Sequence, residues 1–195
     1  MATEKEWVRS LQPRLDKALQ VCDEGEWTVR VVAEEKLTYA YEILCYNADG
    51  PDRRHSAKYE TDLLIYDTRD DGDWIPRLVL ECKTWGISTH DALTYSAKAA
   101  THKHVHPYLR YGILIGGFGT ALPGRLIRHG AYFDFMMVWA SQEATDEEWT
   151  ELVELLKDEI NASRSLATLL SENRSRGRKK FRLLHRPLRL KESDG

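Results

Sequence analysis

The chain has 195 residues, 42% hydrophobic and 30% charged, which fits one globular unit with a single sizeable core. Its three cysteines (Cys22, Cys45, Cys82) are odd in number and lack C-x-x-C spacing, no apolar run approaches the ~20 residues of a membrane span, and the opening Met1-Ala2-Thr3-Glu4 is unlike a signal peptide. A disulfide framework, a zinc site and a membrane location are therefore not expected, and a reducing, cytoplasmic setting is. Net charge is −3, yet nine of the 28 Lys and Arg fall in residues 174–191, which hold no acid, leaving 19 against 31 acids elsewhere. Such a basic tail is a footprint for polyanions, and equally the composition of a solvated terminus.

Residues 3–22 place Trp7, Leu11, Leu15, Ala18, Leu19 and Cys22 at helical spacing, and Thr3 with Glu6 has the spacing of a capping box. Trp27 to Val32 reads as a short strand or an extended entry segment, and aromatic-rich residues 37–46 as a strand. Asn47 to Asp52 carries loop chemistry, and Arg53 to Lys58 reads as a loop leading into the next strand. Apolar strand text at 62–67 and 77–83 then flanks a run of turn formers, Asp70-Asp71-Gly72-Asp73.

Ser88 or Thr89 is positioned to cap a helix over about 90–105. Tyr111 to Gly117 reads as a buried central strand. The glycine-rich stretch Gly116 to Thr120 lacks the Lys-Ser/Thr of a phosphate loop, so it reads as a strand-to-loop transition. Arg125, Arg128 and His129 fall in a loop, and Tyr132 to Trp139 forms another strand. Thr145 and Glu148 open a final helix whose core side carries Trp149, Leu152, Leu155, Leu156 and Ile160. Residues 1–173 form one domain, followed by the basic tail, 174–195.

The chemistry concentrates in the hairpin. With its tip near Asp71-Gly72, antiparallel partners have numbers summing to about 143, so Leu63 faces Leu80 and Asp62 faces Glu81. Lys83, two residues beyond Glu81, points to the same side. Facing carboxylates repel, and a hard divalent cation relieves them. Mg²⁺ suits this donor set, with Mn²⁺ as a substitute. A solvated surface hairpin would carry the same short motif without a metal.

Asp62 followed by Glu81-Cys82-Lys83 resembles the PD-(D/E)xK, or restriction-endonuclease-like, nuclease superfamily, with Thr61 where the motif usually has proline. The resemblance covers about residues 1–140 as an order of elements. It implies an α/β fold with a central mixed sheet flanked by helices, in the order α-β-β-β-α-β. It further implies Mg²⁺-dependent hydrolysis of DNA leaving a 5′-phosphate, with Asp62 and Glu81 holding the metal and Lys83 assisting the water or the transition state. The superfamily often adds an acid from the first helix or strand; Glu42 fits that role, with Glu6 as the helix alternative and Glu60 as a lesser candidate.

Further DNA contacts are expected from Tyr95, Lys98 and His102 on one helical face, where the superfamily often presents polar residues to the phosphate. Arg53, Arg54, Lys58, Arg125 and Arg128 are loop candidates for phosphate or base contacts, and solvated loops also carry such arginines. The histidines His102, His104 and His106 alternate at a helix end and do not converge on one metal. A type II restriction-type enzyme requires two sites, hence a homodimer. The alternatives are a repair or nicking nuclease and a catalytically silent nucleic-acid-binding module.

Overall fold

A computed structural model describes residues 2–20, 27–119, 121–172 and 182–183. The chain is mixed α/β, with a central mixed sheet flanked by helices. Helix α1 (Glu4–Gln20) begins at a reciprocal cap: the Thr3 N–H donates to Glu6 at 2.8 Å, and the Glu6 N–H donates back to Thr3 Oγ1 at 3.3 Å. Its stripe of Trp7, Val8, Leu11, Leu15 and Leu19 is buried.

The main sheet has five strands: β1 (Thr28–Ala33), β6 (Leu63–Thr68), β7 (Trp74–Thr84), β8 (Arg110–Gly116) and β9 (Phe135–Trp139), in that spatial order. The first three are antiparallel, and β7, β8 and β9 run parallel. The parallel connections are made by helix α2 (Thr89–Val105) and the short helix α3 (Gly124–His129), and helix α4 (Asp146–Glu172) closes the fold. A Ser88–Asp91 capping box opens α2, and a Thr145–Glu148 pair opens α4.

Strand alternation divides the core in two. Leu63, Ile65, Leu78, Leu80 and Cys82 pack with α1 and α4, whereas Leu64, Val79, Ile113 and Ile115 pack with α2 and α3. The strand over 110–116 is buried at every position, as a sheet interior covered on both faces requires.

Between β1 and β6 the chain leaves the sheet. Strands β2 (Lys36–Ile43) and β5 (Arg54–Glu60) pair only with each other, and a minimal hairpin of β3 (Tyr46–Asn47) and β4 (Gly50–Pro51) lies near the tip. The base of this ribbon rests on α2 through Leu37; its far end exposes Tyr41, Ile43, Leu44 and Tyr46.

Several expectations are corrected here. Arg54 and Lys58 lie in strand β5, with Arg53 just before it, because the segment finds a partner in β2. Arg125 and Arg128 lie in α3, whose last turn closes on the Leu126 carbonyl. The strand expected over 132–139 starts at Phe135. Cys22 and the basic tail, apart from Arg182 and Leu183, lie outside the described residues. Among the described residues, no helix is long and apolar enough to cross a membrane.

Gly112 sits opposite Phe135, and an added Cβ would lie 2.1 Å from that ring. Gly112→Ala is expected to cost about 1–3 kcal/mol through overpacking, read as a lowered urea midpoint with an unchanged slope.

Candidate active site

Leu63 pairs with Leu80, Leu64 with Val79 and Ile65 with Leu78, which is the register expected from the alternation. Beyond Ile65 it slips by one, so that Tyr66 pairs with Pro76. Pro76 has no N–H for the ladder, and a bulge is where a strand tolerates that loss. The slip lies on the far side of the pairs nearest the acids and leaves their register intact.

Asp62 precedes β6 at the end of the sheet where β7 finishes. Its Oδ2 accepts the Cys82 N–H at 2.8 Å, fixing this carboxylate beside the Glu81–Lys83 segment. The preceding Thr61 is fully buried and donates both its N–H and its hydroxyl to the Glu35 carbonyl, each at 2.9 Å. A proline there would make neither bond, which gives Thr61 a structural reason in this chain.

Glu81 is fully buried. One carboxylate oxygen, Oε1, accepts the Tyr111 hydroxyl and lies 3.1 Å from Lys98 Nζ; the other, Oε2, is buried without a hydrogen-bond partner. Burial, and then the charge of Asp62, pushes its pKa up to about 7, against the opposing pull of Lys98 and Tyr111. The other deeply buried acids are better matched. Asp67 is clasped by Arg77 and Arg164, and Asp134 by Lys103 and Arg110.

Lys83 extends from the end of β7 to Glu4 on α1, at 2.7 Å, and lies 4.7 Å from the centroid of the Tyr95 ring. Burial alone would lower its pKa, but Glu4 and Tyr95 outweigh that and hold the ammonium above the usual lysine range. Lys98 shares the same ring at 5.0 Å and also donates to the Glu60 carbonyl at 3.1 Å. Three acids (Glu4, Asp62, Glu81) and two lysines thus meet around Tyr95, leaving one formal negative charge in excess.

The structure therefore brings together Asp62, Glu81, Lys83, Tyr95 and Lys98. It does not bring Glu42 to them. Glu42 pairs with His55 six residues beyond the Lys36–Glu60 pair at the ribbon base, about 20 Å along the strand, and is exposed. Glu6 is occupied by the α1 cap. Arg53 and Arg54 lie near the ribbon tip, and Lys58, paired with Thr38 near the base, is exposed and makes none of the contacts that hold the acids. Arg125 bonds the Ile87 carbonyl, and Arg128 bonds Gly124 within α3.

His102 is also corrected. It is fully buried, its Nε2 lies 3.2 Å from the Leu37 carbonyl, and its ring stacks on Tyr111 at 5.8 Å. Burial lowers its pKa to about 4, so it is a neutral core group and not a cationic DNA contact.

Two residues of the cluster, Glu4 and Tyr111, were not among the expected site residues. A first-turn acid on α1 was the available signal for Glu4. Tyr111 carried none, because its reach depends on its parallel pairing with Val79.

Among the described residues no three Asp, Glu, His or Cys side chains form a complete metal cage. Nonetheless, two mutually repelling carboxylates, one with an orphaned buried oxygen, form a hard-oxygen donor set that fits Mg²⁺ completed by water. No protein-family model matches the chain, and no curated protein matches it.

The raised pKa of Glu81 fixes a sign. The folded protein holds the proton more tightly than the unfolded chain, so this contribution to stability is full below about 4.5 and is lost as pH rises to about 7. Glu81→Gln is expected to remove that decline and to raise metal-free stability at pH 8 by about 2–3 kcal/mol, measured by denaturation in EDTA across pH.

Proposed function

We propose that this protein is a Mg²⁺-dependent nuclease hydrolysing DNA phosphodiester bonds, built on a restriction-endonuclease-like core. The supporting observation is Glu81: a buried acid with an unpartnered oxygen, held beside Asp62 by the strand register and by the Cys82 N–H. Such an arrangement is costly to keep unless a cation relieves it.

Asp62 and Glu81 would hold the ion. When bound, Mg²⁺ lowers the pKa of a coordinated water and neutralises charge on a phosphoryl oxygen. Lys83, kept fully charged by Glu4 and Tyr95, is an electrostatic group for the negative charge that builds at phosphorus in the transition state, not a proton acceptor. Glu4 orients that ammonium. Lys98 balances Glu81 in the metal-free state and is the second lysine of the site.

A restriction-type double-strand break requires two such sites, and so a homodimer; a nicking or repair role requires one. Supercoiled plasmid incubated with Mg²⁺ or Mn²⁺ tests the hydrolase reading. Asp62→Ala and Lys83→Ala are expected to lose activity by about a hundredfold or more, while Glu42→Ala, whose side chain is remote from the acids, cleaves like the wild type. Equal cleavage by all of these proteins would defeat the assignment.

A further inference from the structure

At the end of the sheet where β7 carries Glu81 and Lys83 stand two large aromatic side chains that neither core absorbs. Trp85 directly follows β7, two residues after Lys83, so the two Cα atoms are within about 7 Å. Phe118 follows β8 by two residues, at the same end of the sheet. Trp85 is 50% exposed and Phe118 is 39% exposed, and neither belongs to the two hydrophobic clusters.

The backbone around them is built to present them. Trp85 adopts φ +64°, a left-handed conformation that a bulky L-residue avoids, and its N–H is tied to the Gly116 carbonyl at 2.9 Å. Gly117, at φ +74°, makes room for the indole: a Cβ there would lie 2.6 Å from the Trp85 ring. In return, a Cβ on Gly86, at φ +136°, would lie 3.1 Å from the Phe118 ring. Each ring rests against a glycine of the other segment, so the two loops interlock and hold both aromatics in place. Strain and glycine are spent here on exposed apolar surface.

We propose that Trp85 and Phe118 form a stacking platform for an unpaired nucleobase flanking the cleaved phosphodiester, so that the preferred substrate is a single-stranded or frayed stretch of DNA. The position of the platform relative to the cut rests on the hydrolase reading of Asp62, Glu81 and Lys83. Aromatic faces bind bases of any sequence, but only bases whose own faces are free; an intact duplex keeps its bases stacked on one another. Lys83 and Lys98 are themselves paired with Glu4 and Glu81, so the hold on the base in the metal-free protein falls to the rings. Arg125, anchored on the Ile87 carbonyl, adds a guanidinium to the loop that follows Trp85.

The test is binding of labelled oligothymidylate, and of a duplex of equal length, by fluorescence anisotropy in EDTA. Trp85→Ala and Phe118→Ala are each expected to weaken oligothymidylate binding by about tenfold or more, to leave duplex binding unchanged, and Trp85→Phe to retain most of the affinity. Trp85→Gly relieves the left-handed φ, so it is expected to stay folded in a thermal melt while binding as weakly as Trp85→Ala. Unchanged oligothymidylate binding in both alanine variants, or equal loss on duplex, overturns the platform. Cleavage in Mg²⁺ is scored separately. A wild type that binds through the rings but never cuts refutes the hydrolase reading and leaves the platform standing; one that cuts but binds independently of the rings does the reverse.

Discussion

Repulsion between Asp62 and Glu81 organises this end of the molecule. The Leu63–Leu80 pair sets the two acids next to each other at the end of the hairpin, and burial denies Glu81 the water that would screen its charge. The neighbouring groups answer that repulsion piece by piece. The Cys82 N–H takes one carboxylate, while Tyr111 and Lys98 take half of the other. One oxygen is left without an answer, and the chemical reading follows from it.

The second lysine shows how finely this balance is set. Lys98 contacts both Glu81 and the Glu60 carbonyl, so it ties α2 to the segment that carries Asp62. His102, one turn further along α2, does the same to Leu37, and His106 to Thr38. Both imidazoles are pushed toward neutrality by burial, so they fasten the ribbon without adding cations to it. Tyr39 and Tyr59, stacked 3.7 Å apart beside His102, complete the joint.

The register around the acids was legible in the sequence because apolar alternation on both strands admits one alignment. The pairs Leu63–Leu80 and Ile65–Leu78 obey it, and from Tyr66–Pro76 to the hairpin tip the pairing is displaced by one residue. The helix starts were legible for a similar reason, since Thr3–Glu6, Ser88–Asp91 and Thr145–Glu148 are local patterns. What depended on long-range placement was not legible. Whether Glu4 or Glu6 reaches Lys83 depends on how α1 is rotated on the sheet. Residues 36–60 look like sheet strands locally, and nothing in their alternation says that they pair only with each other. His102 sits among Lys98, Lys103 and His104, so its text reads as a basic face; the Leu37 carbonyl and the Tyr111 ring make it core.

The ribbon departs from the sheet and returns to it at almost one point. The Glu34 N–H donates to the Asp62 carbonyl at 3.1 Å, and the Thr61 N–H donates to Glu35 at 2.9 Å, so its two ends are stitched together. A segment whose ends are already joined can lengthen, shorten or exchange its far part at little entropic penalty to the rest. The excursion thus behaves as a cassette: its outer portion is free to diversify between descendants of this chain while the acids beneath it keep their places.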